Sequence, residues 1–189
     1  MAGGTAVQAG TATWILDPAH SSVEFSVKHM MMTTVRGRFK SVNAKLTGDE
    51  NHPEGCCVEV EIDAASLDTG VADRDAHLRG PDFLDVQKYP KITFISKRLE
   101  GNFRNDGDRF RAFGDLTMRD QTMEIDLDCE FEGRGKDPWG KERAGFSGHT
   151  ELDRREWGLR WNQAIETGGV LVANRVRIEV EVQFVKMSD

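Results

Sequence analysis

The chain has 189 residues, of which 38% are hydrophobic and 30% are charged, and its formal net charge is −7. This length suits one domain with a sizeable core, and the negative charge argues against a nucleic-acid groove, which would have to attract phosphates. The sequence contains no apolar run long enough to cross a bilayer as a helix.

The N-terminal segment is rich in Gly, Ala and Thr and has no apolar periodicity. We therefore expect residues 1–12 to form a disordered extension and residues 13–186 to form a single domain. The segment lacks the basic start and the continuous apolar run of a secretory signal, so we expect a cytoplasmic location, or a periplasmic one if a leader was removed. The three cysteines, Cys56, Cys57 and Cys129, form a poor disulfide framework and fit a reducing compartment.

Apolar residues alternate with charged or polar ones in four segments, which predicts strands with one face inside and one face in water. These segments begin at Val23, Val58, Met123 and Val176, and the last two continue to Phe131 and Phe184. Weaker patterns predict further strands at Thr13–Asp17, Val35–Leu46, Lys91–Leu99, Arg109–Met118 and Arg143–Leu152.

Two segments depart from simple alternation. Between Val35 and Leu46 the apolar parity changes, which indicates a bulge near Lys40–Ser41 within one strand. The stretch Ala72–Arg79 reads as a short helix stopped by Gly80-Pro81, and we expect Leu78 and Phe83 to cover one end of the fold as a lid.

About eight strands with one helical insert favour an all-β, up-and-down antiparallel barrel of the lipocalin type. A two-sheet sandwich built from the same strands, without a cavity, is the alternative.

Residues that could carry chemistry are scattered. The five histidines occur singly and the cysteines form no CxxC, so we expect no metal and no cofactor. The charged runs Asp73-Arg74-Asp75 and Asp153-Arg154-Arg155-Glu156 are typical of solvated loops. Arg36 and Arg38, with Lys28 and Lys40 near in sequence, form a basic cluster that is either a solvent-facing stripe or an anion-binding rim.

Several motifs resemble the YceI-like, polyisoprenoid-binding family. The likeness begins with Trp14–Phe25, Lys28-His29-Met30 and Val35–Phe39, continues through Arg74–Leu78 and Tyr89–Phe94, and resumes at Asp137–Gly140 and Trp157-Gly158-Leu159. It runs in order from Trp14 to Phe184. One departure is the segment Met118–Thr122, which has no glycine where the family has a glycine-containing turn.

The resemblance implies an extended lipocalin-like barrel with a helical lid, whose apolar cavity binds a long isoprenoid lipid such as a polyprenyl phosphate or a quinone. We expect a carrier, storage or sequestering protein for this lipid. We do not expect an enzyme, because no catalytic set of residues converges in the sequence. We expect the inward-facing residues to line this cavity: Val23, Phe25, Val27, His29, Phe39, Val58, Val60, Ile62, Phe94, Leu116, Ile125, Leu127, Phe131, Phe146, Trp157, Val180 and Val182.

Arg36 and Arg38 are the candidate residues of the head-group rim. However, His29 continues the alternation of inward-facing residues along its strand, and neither arginine does so. Two other functions stay open at this point. One is an enzyme acting on such a lipid, with His29 or His149 as the base, and the other is a structural module with a solid core. A homodimer also stays open.

Overall fold

The computed structural model describes residues 10–49, 52–166 and 168–188. Residues 1–9 lie outside the described residues, and Ala12 is already the first residue of a strand. The elements are β1 Ala12–Leu16, β2 Ser22–His29, β3 Thr33–Phe39, β4 Val42–Gly48, β5 Cys57–Asp63, β6 Leu67–Asp68, α1 Ala72–Arg79, β7 Lys91–Gly101, β8 Arg109–Met118, β9 Gln121–Lys136, β10 Glu142–Asp153 and β11 Val172–Lys186. None of the described helices is long and apolar enough to cross a membrane.

Eight of the strands close into an antiparallel barrel. Their order is β1-β4-β5-β7-β8-β9-β10-β11, and β1 pairs with β11 to close the ring. Closure removes the free edges that an open sheet or sandwich would leave, and it confirms the predicted barrel.

The long strand β11 also pairs with β2, so that β2, β3 and β6 extend the same sheet beyond the closed ring. The C-terminal part of β11 pairs with β1, where Leu16 lies opposite Phe184, and its preceding part pairs with β2, where Val23 lies opposite Val180. Strands β3 and β6 follow β2 in order. The chain therefore makes a short turn at residues 18–20 and continues along the same side of β11, which lengthens the barrel wall at that end.

The prediction of one strand with a bulge over Val35–Leu46 is wrong. The segment forms β3 and β4, which pair with different neighbours: β3 with β2 and β6, and β4 with β1 and β5. The break occurs at Lys40 and Ser41, whose backbone N–H groups donate to the carbonyl and the hydroxyl of Ser66 at 3.1 and 3.0 Å. The parity change is thus a change of strand.

The hairpin turn between β8 and β9 uses left-handed backbone without glycine. Arg119 and Asp120 have φ of 51° and 57° between the paired residues Met118 and Gln121. These are the positive φ values of a two-residue type I′ turn, so the missing glycine does not prevent the turn. Such a φ costs roughly 1 kcal/mol for a residue with a side chain.

Two apolar clusters close the barrel at its opposite ends. The lid-end cluster consists of Val23, Ile62, Ala64, Leu67, Phe83, Leu84, Val86, Ile92, Leu116, Leu152, Trp157 and Leu159. The far-end cluster consists of Trp14, Leu16, Ala44, Phe110, Ala112, Phe131, Ala144 and Phe184.

Candidate ligand-binding interior

The cross-strand pairing places the predicted cavity residues on one face of the sheet. Val60 pairs with Phe94, which in turn pairs with Leu116. Directly opposed residues share a face, and side chains along a strand alternate between faces, so each such pair fixes the orientation of its whole strand. By this register the inward-facing members of the predicted set are Val23, Phe25, Val27, His29, Phe39, Val58, Val60, Ile62, Phe94, Leu116, Ile125, Leu127, Phe131, Phe146, Val180 and Val182.

These inward-facing residues differ in how much surface they keep. Val23, Ile62, Leu116 and Phe131 are buried in the two end clusters. The others keep accessible surface: Phe25, Val27, His29, Phe39, Val58, Val60, Phe94, Ile125, Leu127, Phe146, Val180 and Val182. Inward-facing side chains of a closed barrel that stay partly accessible are typical of an interior that its own side chains do not fill.

Glycines on the inner wall make room for aromatic rings. A Cβ at Gly114 would stand 2.6 Å from Cζ of Phe94, so the ring occupies the space above this glycine. At Gly148 the nearest atoms to a Cβ would be Sγ of Cys129 at 3.1 Å and Cγ2 of Val180 at 3.2 Å. The missing side chains of Gly114 and Gly148 therefore leave room on the inner wall for neighbouring side chains.

The inner wall carries no charge between the two end clusters, in the strands that the structure describes. Its polar groups are few. The hydroxyl oxygen of Ser96 accepts from the Val58 N–H at 2.8 Å, and burial raises the pKa of the Cys129 thiol to about 12, which keeps it neutral. An uncharged apolar wall suits an apolar guest, because a charge would have to be desolvated without a partner.

Trp157 supports the end of the interior and does not line an accessible wall. Its side chain is fully buried, and its indole N–H donates to the Leu116 carbonyl at 3.1 Å. Because it has no accessible surface, a ligand in the barrel could not contact it without rearrangement.

Aromatic rings fill the far end. The ring of Phe146 lies 5.3 Å from that of Phe131 and 6.1 Å from that of Phe184, measured between centroids. Beyond them Trp14 carries the guanidinium of Arg134 at 5.0 Å and the ammonium of Lys186 at 5.7 Å from its ring centre. This end is closed by side chains of the strands themselves.

The lid end is closed differently, by α1 and two loops. Helix α1 covers Ala72–Arg79 as predicted, and Leu78 is half-buried while Phe83 is buried. The rings of Phe83, His77 and Trp161 contact one another with centroid distances of 4.7 to 5.3 Å. The imidazole Nε2 of His77 also lies 3.0 Å from a carboxylate oxygen of Asp82.

Two buried charged residues, Arg154 and Asp75, hold these lid elements in place. The prediction that the charged runs around them are solvated is wrong for both. Arg154 is 4% exposed and donates to the carbonyls of Ala173, Leu159 and Trp161. Asp75 is 6% exposed and accepts from the N–H and the hydroxyl of Thr69. The sequence does not reveal these two buried charges, because their partners are uncharged backbone and hydroxyl groups and not residues of opposite charge.

Arg36 and Arg38 lie on the outer face of β3. They are exposed, and they pair across strands with Ser26 and Glu24, while the inward positions of β3 belong to Val35 and Gly37. A head group held by these arginines would lie outside the barrel wall.

The two candidate bases do not converge. His29 has inward parity at the end of β2, whereas the exposed His149 lies on the outer face of β10. His149 lines a concavity of about 720 Å³ on the outer face, together with Glu24, Asp128, Arg177 and Glu179. Among the described residues, no group of three or more His, Cys, Asp or Glu could hold a metal ion.

Comparison with known proteins assigns the chain to a family. The model of the YceI-like domain matches residues 14–184. The chain belongs to the YceI-like family. A UPF0312 protein of Staphylococcus epidermidis is 36% identical over 169 residues, covering 89% of this chain and 94% of that one. A UPF0312 protein of Vibrio cholerae is 36% identical over 156 residues, covering 80% of each chain.

Solved structures share the fold of this YceI-like chain. The Campylobacter jejuni YceI protein is 29% identical, with a TM-score of 0.72 over 85% of this chain and 90% of that one. BcnA of Burkholderia cenocepacia is 22% identical, with a TM-score of 0.75 over 89% and 98%. A polyisoprenoid binding domain from Saccharophagus degradans is 13% identical, with a TM-score of 0.67 over 91% and 97%.

Proposed function

We propose that the protein binds a long-chain isoprenoid lipid lengthwise in the barrel and serves as its carrier, store or sequestering protein. The observation that carries this proposal is the uncharged, partly accessible apolar wall between the two end clusters. The polyisoprenoid-binding description of the Saccharophagus degradans domain is in accord with it, through the shared fold.

The dimensions of the barrel support a long guest. Strand β9 has 16 residues and β11 has 15. Between the two end clusters, from Met123 opposite Leu116 to Phe131, β9 runs eight residues. At about 3.3 Å per residue and a tilt of about 40°, this stretch gives an axial path of roughly 20 Å. Each buried carbon of a prenyl chain contributes about 0.8 kcal/mol before the costs of ordering and association are subtracted.

The ends of the barrel suggest an orientation for the ligand. The far end is filled by Phe131, Phe146 and Phe184, whereas the lid end is closed by α1 and loops. A prenyl tail would therefore lie toward the far end and the head group, a phosphate or a quinone ring, toward the lid end. His29 is the polar inward-facing side chain of β2 and would be near such a head group.

The two competing functions have less support. An enzyme acting on the lipid would need converging groups, and His29 and His149 occupy opposite faces of the sheet. A solid-core module would bury its inward-facing residues, and many of them keep accessible surface.

A matched pair of variants tests whether the ligand occupies the interior. Val180→Phe adds a ring opposite Gly148 on the inner wall, whereas Glu179→Phe adds the same ring to the exposed outer face. Delipidated protein would be titrated with a prenyl alcohol and with its phosphate. We expect Val180→Phe to weaken both affinities about tenfold or more, because an occupied space resists extra volume, and Glu179→Phe to leave them unchanged.

The same titration separates the head-group candidates. Selective loss of phosphate binding in His29→Ala would support His29, and selective loss in Arg36→Ala/Arg38→Ala would support the outer rim. Failure of the unmodified protein to bind either compound would overturn the proposal.

A further inference from the structure

The turn between β2 and β3 exposes apolar side chains to solvent. Met31 and Met32 are 69% and 70% exposed, and Val170 on the adjoining loop is 41% exposed. The loop is held against the turn by the Met30 N–H, which donates to the Leu171 carbonyl at 2.8 Å. We call Met31, Met32 and Val170 the apolar tip.

Folding alone does not account for methionine in this turn. Met30 and Met31 have φ of 50° and 57°, and the Met32 N–H donates to the His29 carbonyl at 3.0 Å. Asn and Gly adopt this left-handed backbone at lower cost, and an exposed thioether gains no packing inside the protein. Strained backbone that presents exposed apolar groups is a feature of binding surfaces.

Basic side chains flank the apolar tip on a protein whose net charge is −7. Lys28 and Arg36 are exposed on the outer faces of β2 and β3, and their cross-strand neighbours are the uncharged Thr34 and Ser26. Arg38 follows on the same face, beside Glu24. Among the described residues of the adjoining loop, Glu166 is the one acidic residue.

The apolar tip also adjoins the lid end of the interior. His29, at the base of the turn, pairs with Val172 and Thr33, and the next inward pair along the hairpin is Val27 with Val35. The wall that continues from this turn is therefore the apolar inner wall of the barrel. Val176, opposite Val27, pairs on its other side with Leu152 of the lid-end cluster.

We propose that the apolar tip docks this protein on the surface of an anionic phospholipid bilayer. Met31 and Met32 enter the interface between head groups and acyl chains, and Lys28 and Arg36 contact the lipid phosphates. Flexible apolar side chains combined with adjacent cations are the two contributions that hold proteins at such surfaces. The inference rests on the proposed function, because it names the surface at which an isoprenoid ligand would be exchanged.

Flotation of the full chain with lipid vesicles tests the docking surface. The vesicles contain either phosphatidylcholine alone or equal parts of phosphatidylcholine and phosphatidylglycerol. We expect binding to the anionic vesicles that weakens as salt is raised, since screening reduces the attraction of Lys28 and Arg36. Both Met31→Ser/Met32→Ser and Lys28→Gln/Arg36→Gln should reduce the bound fraction about tenfold, because each removes one of the two contributions.

Trp139→Ser is the matched control, because Trp139 is 82% exposed in the turn between β9 and β10, at the far end. It should float as the unmodified protein does. The proposal is overturned by absence of flotation, by loss of flotation in Trp139→Ser instead of the tip variants, or by tip-dependent dimers in sedimentation without flotation. Lipid extracted from the same preparations and measured by mass spectrometry separates a failure of docking from a failure of ligand binding.

Discussion

The ring of Phe25 lies across Gly37 on the neighbouring strand, so that a Cβ at residue 37 would stand 2.3 Å from Cζ of Phe25. The two residues are directly opposed in the β2–β3 pair. Phe25 also contacts Phe39, with ring centroids 5.7 Å apart. The glycine thus leaves room for the Phe25 ring on the inner wall, and a larger residue at this position would reduce the space inside.

Substitution of this glycine should reduce the space inside the wall that β2 and β3 add to the barrel. In Gly37→Ala the new methyl group must displace the Phe25 ring, because the atoms it meets are side-chain atoms that can move. We expect reduced retention of lipid and a loss of stability of roughly 1–3 kcal/mol from the overpacked site. Urea denaturation and lipid content would be measured beside Gly145→Ala, where a Cβ meets only Glu132 Cβ at 3.4 Å. Equal behaviour of the two variants would contradict the role of Gly37.

The face assignment of β9 is tested by placing a carboxylate inside. Leu127→Asp puts a charge on the inner wall, opposite Ala112, and the inner wall of the described strands has no cation between the two end clusters. We expect the free energy of unfolding to fall by roughly 2–5 kcal/mol, or the ligand to be lost, because a buried unpaired carboxylate is costly. Ile15→Asp is the control, since Ile15 is 39% exposed and pairs with Lys45. A Leu127→Asp protein with unchanged stability and lipid content would show that the strand faces the other way.

Helix α1 should behave as a lid. It is tied to the barrel by a few hydrogen bonds, such as those from the Arg79 guanidinium to the Ala65 and Leu67 carbonyls, whereas the strands have continuous ladders. We expect amides of Ala72–Arg79 to exchange faster than those of β9 in the free protein, and to slow when lipid is bound. Hydrogen exchange by mass spectrometry measures both states. The same protection with and without lipid would argue that α1 does not gate the interior.

The pH dependence of stability should include a contribution from Asp17, at the corner where β1 ends. The Arg143 guanidinium at 2.5 Å, together with the His20 ring, lowers the pKa of Asp17 from 3.8 to about 2. Because the folded pKa is below the unfolded one, this stabilisation is present above pH 3.8 and is lost as the pH falls toward 2. With solvent screening we expect it to be about 1–2 kcal/mol.

Asp17→Asn should remove that part of the acid sensitivity. Denaturant unfolding at neutral pH and near pH 2 would show a smaller difference between the two conditions in the variant than in the unmodified protein. Glu181→Gln, an exposed position on β11, is the control and should keep the original difference. An unaltered pH profile in Asp17→Asn would mean that the Arg143 contact does not persist in solution.

The sequence predicts the strands well because their signal is local. Alternation over Met123–Phe131 and Val176–Phe184 depends only on residues two apart, and both segments lie within observed strands with the expected faces. The helix Ala72–Arg79 also has local signals in Gly80 and Pro81.

The features that sequence reasoning missed depend on distant partners. The break between β3 and β4 is made by Ser66, 25 residues beyond Ser41, and Lys40-Ser41 is a weak turn signal by itself. Burial of Arg154 requires the carbonyls of Leu159, Trp161 and Ala173 to converge, which only the folded chain brings about.

Analysis of what the purified protein carries tests most directly whether an isoprenoid lipid occupies the barrel. The full chain would be purified without detergent or denaturant, measured intact by native mass spectrometry, and extracted with organic solvent for lipid analysis. We predict an added mass lost on extraction, recovered as a single class of long isoprenoid lipid, and reduced in Val180→Phe but not in Glu179→Phe. A protein that carries no lipid, and that takes up none when offered a prenyl alcohol or prenyl phosphate, would contradict lipid binding in the barrel.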